Sequence, residues 1–140
     1  MKINHDQLIG QLQRGLLPLY VITGDEPLLI QESVQLIRDN ARAQGFLMRE
    51  TYHIENRFNW QDVLMSANSL SLFAERKLIE LHFRNGKFNE ADTSALNELV
   101  SFLNPDLLVV ITLPRLDSGV NKNKLWKLLD DTGATITIWP

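Results

Sequence analysis

There is no cysteine anywhere in this chain. Disulfides and thiolate metal sites are therefore excluded, and the composition suits a reducing cytosol. A surplus of either charge is also missing: 14 basic against 17 acidic residues leave a formal net charge of −3. A domain that lives by wrapping nucleic acid is usually strongly basic, so bulk attraction to DNA is not expected. No apolar run approaches the length that spans a bilayer, and the amino terminus has no signal-peptide core, so the expectation is cytoplasmic with no membrane partner. Internal repeats and low-complexity segments are absent too. What the 140 residues do have is a 44% hydrophobic content. That is enough for a real core, in one domain or in a piece of a larger protein.

The apolar residues are spaced so that helices and strands alternate. Leu8, Ile9 and Leu12 share a helical face between Asn4 and Arg14, with Asn4 or Asp6 available as a cap and Gly15 as a stop. Leu19-Tyr20-Val21-Ile22 is a short apolar run, as in a strand buried on both faces. Pro27 opens a second helix that runs to about Gln44 and buries Leu29, Ile30, Val34 and Ile37. Met48–Ile54 reads as a strand, and Trp60, Val63, Leu64 and Ala67 as a helical face. Lys77–Phe83 is a partly alternating strand, and Leu96, Leu99, Val100 and Leu103 mark the next helix. Leu107-Leu108-Val109-Val110-Ile111 is fully apolar and reads as the central strand. A last helix over Lys122–Asp131 and a strand over Thr135–Ile138 complete the series. Alternation of this kind predicts an α/β fold: a five-stranded parallel sheet with helices on both faces, a three-layer α/β/α sandwich.

Such folds bind ligands beyond the carboxyl ends of their strands, which directs attention to the turn after Ile22. A phosphate-binding loop there needs G-x-x-x-x-G-K-[ST], so that backbone N–H groups, a lysine and a hydroxyl hold phosphate and magnesium. Thr23-Gly24-Asp25-Glu26-Pro27 offers one glycine, no lysine and two carboxylates, and Pro27 removes an N–H donor. The third strand ends in Leu81-His82-Phe83-Arg84, without the adjacent acids that would hold magnesium and water. The topology is that of a nucleotide-binding fold and the residues are not, so no cofactor is expected at this turn. No catalytic or metal-binding constellation emerges elsewhere. His5, His53 and His82 are scattered without ligand spacing, and Asp130-Asp131 reads as solvated charge at a helix end. Arg115, Lys122, Lys124 and Lys127 form a local basic group, in the ordinary case a solvated helix face and otherwise a contact for DNA or a partner.

The remaining feature is Ser69-Leu70-Ser71-Leu72-Phe73, three large apolar side chains within four residues, followed by Glu75-Arg76-Lys77. Neither a helix nor a strand can turn all three to one side, so at least one faces outward, as at docking sites. By composition alone, burial is the commoner fate of such a run. The stretch resembles Gln-Leu-Ser-Leu-Phe, the short motif by which bacterial replication proteins dock on the sliding clamp. Ser69 stands where the ideal form has glutamine, and the nearest amide is that of Asn68, one residue earlier.

Together with Leu19–Glu32, Ala43-Gln44-Gly45-Phe46 and Ser69–Arg76, these residues make essentially the whole chain resemble the amino-terminal domain of the delta subunit family of bacterial DNA polymerase III, the clamp-opening members of the clamp loader. The resemblance implies a P-loop NTPase (AAA+)-like core with a degenerate nucleotide site, spanning residues 1–140, with the helical lid and collar domains of the family not included. It implies that Leu72 and Phe73 enter an apolar pocket on the clamp with Leu70 beside them and Asn68, Ser69 and Ser71 flanking. The partners it implies are the sliding clamp (beta), the gamma/tau and delta prime subunits, and DNA through the complex. It implies no catalysis by this subunit itself, within a holoenzyme that is a DNA-directed DNA polymerase. The rival readings are a nucleotide-binding ATPase or switch on the same sheet, and direct DNA contact through the Lys122–Lys127 face.

Overall fold

The computed structural model describes residues 1–69, 75–115 and 124–138. In chain order these form β1 (Lys2–Asn4), α1 (His5–Gln13), β2 (Leu19–Gly24), α2 (Pro27–Ala43), β3 (Met48–Ile54) and α3 (Gln61–Ala67). There follow β4 (Lys77–Phe83), α4 (Glu90–Ser101), β5 (Leu107–Leu113), α5 (Lys124–Thr132) and β6 (Ala134–Ile138). The strands make one parallel sheet in the order β1-β6-β2-β5-β4-β3.

The sheet has six strands where the apolar pattern predicts five. The extra one is β1, which pairs with β6 from Lys2↔Thr135 to Asn4↔Thr137. Its sequence, Lys-Ile-Asn, has no periodicity to read. An edge strand of three residues is held by its backbone ladder, and that leaves no side-chain signature. Asn4 then turns the chain directly into α1 as its N-cap, exchanging bonds with Gln7 in a capping box.

Period-two alternation in the strands sorts the core into two layers. Leu19, Val21, Ile79, Leu81, Val109 and Ile111 meet α3, α4 and α5 through Val63, Leu96, Leu99, Leu125 and Leu129. Tyr20, Ile22, Leu78, Leu108, Val110 and Ile136 meet α1 and α2 through Leu8, Leu12, Val34 and Ile37. The helices fall on these faces for a topological reason. α1 and α2 link strands stepping toward the β3 edge, whereas α3, α4 and α5 link strands stepping back. Crossovers of one hand then place the two groups on opposite faces. β5 is buried at every position, as its unbroken apolar run requires. Ile9, expected on the buried face of α1, is instead 53% exposed, because Leu8, Gln11 and Leu12 fill the contact with the sheet, Gln11 accepting from the Tyr20 hydroxyl at 2.7 Å.

Two glycines sit where backbones touch. Gly133, between α5 and β6, passes so close to β2 that an added Cβ would lie 2.6 Å from the carbonyl carbon of Leu19. Gly24 pairs with Ile138, and a Cβ there would come within 2.8 Å of the Ile138 Cβ. Gly133→Ala must push α5 or β2 aside. It should lower stability by about 1–3 kcal/mol, read as an earlier urea midpoint with an unchanged slope.

Candidate functional site

Because every strand runs the same way, the sheet has two chemically separate ends. At the carboxyl end, β2 and β5 are neighbours whose following helices lie on opposite faces. This is the crevice where open α/β sheets bind ligands. Here it is bridged. The Thr23 hydroxyl donates to the Pro114 carbonyl at 2.8 Å, and the Arg115 guanidinium stands 3.5 Å from the Asp25 carboxylate. Glu26 is the N-cap of α2 without a side-chain capping bond, and Pro27 holds the first helical position. The one glycine of the turn is accounted for by its contact with Ile138. The residues that would meet a phosphate are thus two carboxylates and a proline.

Beneath α2, on the same face, lies a polar cluster that the sequence pattern does not announce. Glu80 is fully buried in the middle of β4. Arg38 of α2 grips it with both prongs, Nε to Oε2 and Nη2 to Oε1, each at 2.6 Å. His82 Nε2 lies 3.0 Å from Glu80 Oε1, and its Nδ1 lies 2.6 Å from the Thr112 hydroxyl. A carboxylate only accepts, so Nε2 carries the proton and, in the neutral ring, Nδ1 accepts from Thr112. The His53 ring stacks on His82 with centroids 5.5 Å apart. Burial pushes the Glu80 carboxyl up, but the hydrogen bonds from Arg38 and His82, reinforced by charge, outweigh it and hold the group at about 2. One signal was available in the sequence: Leu78, Glu80 and His82 share a strand face, and a charge on a two-sided buried strand demands a partner. The identity of that partner, in a helix 42 residues away, is not local information.

At the amino end of the sheet, roughly 20 Å from the carboxyl end along a seven-residue strand, α3 stops and the chain enters segment 70–74. Both sides of that segment are pinned. On the entry side, Ser66 donates to Glu50 at 2.7 Å, Lys77 Nζ bonds Ser66 Oγ at 2.8 Å, and Lys77 and Glu50 pair at 3.2 Å. The Tyr52 hydroxyl donates to the same carboxylate at 2.6 Å; burial and then Glu50 raise this phenol to about 12. On the exit side, Arg76 bonds the Gln44 carbonyl at 2.7 Å, pairs with Asp106 at 3.3 Å and lies over the Phe46 ring. The Lys77 N–H also donates to the Asp106 carbonyl at 2.9 Å. The residues on either side of segment 70–74 are thus held in a fixed frame.

The family profile described as "DNA polymerase III, delta subunit" matches residues 20–138. The chain belongs to the DNA polymerase III delta subunit family. It is 32% identical to the DNA polymerase III subunit delta of Escherichia coli K12 over 126 residues, covering 90% of this chain and 36% of that protein. The Haemophilus influenzae subunit delta is 29% identical over 121 residues, covering 86% of this chain and 35% of that protein. The chain therefore spans just over a third of the length of these relatives. In structure it is similar to the Bacillus subtilis DNA clamp loader delta protein, with a TM-score of 0.72 at 19% identity over 96% of this chain and 42% of that one. A more distant likeness, at TM-score 0.55 and 12% identity, is to the Aeropyrum pernix ORC1 protein in complex with DNA, again over 96% of this chain and 42% of that one.

Within this delta-family chain the sequence-predicted residues separate cleanly. Thr23, Gly24, Asp25, Glu26 and Pro27 lie together at the carboxyl end. Asn68 and Ser69 are exposed at the amino end, with the Ser69 hydroxyl donating to the Ser66 carbonyl at 2.8 Å. Leu70, Ser71, Leu72 and Phe73 fall outside the described residues, as does Lys122. Of the basic group, Arg115 is paired with Asp25, and Lys124 and Lys127 are exposed on α5. No helix among the described residues is long and apolar enough to cross a membrane. The scattered histidines have ordinary partners: His5 bonds Ser33 at 2.9 Å, and His53 and His82 lie on a sheet face.

The Glu80 carboxyl sits below the ordinary carboxylate range when folded and returns to it when unfolded. Its contribution is therefore complete above about pH 4.5 and fades as pH falls toward 2. Glu80→Gln should cost about 3 kcal/mol at neutral pH. In urea titrations the gap between variant and wild type should close progressively below pH 4 and be nearly gone at pH 2.

Proposed function

We propose that this chain is the clamp-docking part of a clamp-loader delta subunit, a module that grips the sliding clamp and holds its ring open without hydrolysing nucleotide. The observation that carries this reading is the division between the two sheet ends. The residues that flank the motif segment are pinned at one of them. The turn at the other is bridged and carries acid where phosphate would bind. On this reading the core is AAA+-like with a degenerate nucleotide site. Residues 1–140 form the clamp-binding domain, and the gamma/tau and delta prime subunits, in the cytoplasm, supply the nucleotide chemistry. DNA is reached through the complex rather than by this chain.

Leu72 and Phe73 are the anchors, with Leu70 beside them and Asn68, Ser69 and Ser71 flanking. Burying a Leu or Phe side chain contributes roughly 1.5–3 kcal/mol, so two or three anchors supply about 4–8 kcal/mol before binding costs. Micromolar affinity corresponds to about −8 kcal/mol. The motif therefore suffices to dock, while holding an open ring needs contacts that favour that state. Driving a ring from 1:99 to 99:1 takes about 5.5 kcal/mol of differential affinity.

Replacing Leu72 and Phe73 together with alanine should weaken binding to the cognate clamp by roughly 100-fold or more while leaving the melting temperature unchanged. A double variant that unfolds would place these side chains in the core and sink the docking claim. The rival reading draws on the strand-turn-helix at the switch point. Calorimetric titration with ATP and magnesium separates the two: saturable heat would favour a nucleotide switch, and a flat trace is expected.

A further inference from the structure

The amino end of the sheet exposes apolar side chains outside the motif segment. Leu47 is 75% exposed, the highest value among the exposed large apolar residues described, and Met48 beside it is 40% exposed. One exposed leucine on a soluble domain needs no explanation, but two consecutive apolar residues beside a docking segment form a patch. Their position sets Met48 beside the residues that bracket segment 70–74. Met48 opens β3, the edge strand, and pairs in register with Lys77, while its N–H reaches the Arg76 carbonyl at 3.4 Å. Met48 also lines one cleft of about 610 Å³ together with Ser69 and Glu75, the two residues that bracket segment 70–74, and with Pro105 and Asp106.

We infer that the partner surface receiving the motif extends across this cleft onto Met48 and Leu47, which form a second apolar anchor for the same ring protein. The inference rests on the clamp-docking reading and adds to it where the further contacts lie. The patch is presented on fixed backbone. The Phe46 N–H is bonded to the Ala41 carbonyl at 3.0 Å, Leu47 N–H to Gly45 O at 3.0 Å, and Arg76 ties Gln44 to Asp106. A surface already ordered loses little entropy on binding. A leucine and a flexible thioether suit a shallow apolar surface beside a deeper pocket rather than a second deep one. The partner chemistry expected opposite them is a flat aliphatic patch, not a charged strip.

The test is a set of variants of the 140-residue chain measured against the immobilised cognate sliding clamp. Leu47→Ser with Met48→Ser should weaken binding roughly tenfold or more, chiefly through faster dissociation. Leu28→Ser removes a side chain that is 65% exposed at the opposite end of the sheet, and it should bind as wild type. In wild type, clamp binding should also protect Met48 from hydroxyl-radical oxidation, a readout independent of any effect of the substitutions on folding. If the Leu47/Met48 variant binds as wild type, or Met48 stays equally reactive in the complex, the second anchor is refuted while docking through Leu72 and Phe73 stands. Equal weakening by Leu28→Ser would mean unspecific apolar adhesion and would also refute it. Wild type failing to bind the clamp at all overturns the docking reading and the second anchor together.

Discussion

Parallel pairing of every strand is the constraint from which the rest of this structure follows. Each strand must be re-entered from the same end, so a helix or extended crossover has to cover a face of the sheet at every return. The faces are consequently filled with apolar side chains, and the interior strands β2 and β5 are buried throughout. Polar chemistry and partner contacts are left with the two ends, where loops gather. Function in such a molecule is a question of which end is built for what.

The two ends are built differently. At the carboxyl end a hydrogen bond and a surface ion pair span the crevice, and Gly24 packs closely against β6. At the amino end the polar groups line an open cleft instead. Glu50, Ser66, Lys77, Arg76 and Asp106 tie down the residues on either side of segment 70–74. Backbone tied down in this way loses its conformational freedom once, during folding. The exposed Ser69 and Met48 line one cleft with Ser66, Lys77 and Asp106.

Between the ends, the Arg38–Glu80 pair is an exception to the apolar rule. A buried ion pair is poor evidence for stability in itself, since desolvation offsets most of the attraction. Removing one member is costly all the same, because the other is left in place. Arg38 keeps partial contact with water whereas Glu80 has none, so the strand member depends on its partner more than the helix member does. The pair thereby fixes how α2 lies on β4, immediately behind the strand that leads out of the motif segment.

Much of this was written in local spacing. The apolar runs at 19–22 and 107–111, the alternation after Lys77 and the glycine stops reported strands, helices and a parallel α/β sandwich, because burial on two faces or on one stripe leaves a period in the sequence. The resemblance carried by Leu19–Glu32, Ala43–Phe46 and Ser69–Arg76 named the family. Only the tertiary structure decided the sixth strand, since β1 is recruited by backbone bonds that any sequence can make. Only it could leave Ile9 in water, unite Arg38 with Glu80, and place Met48 beside the residues that flank the motif. Those outcomes depend on which distant segment becomes a neighbour, and periodicity along a chain records whether a residue is buried, not what it is buried against.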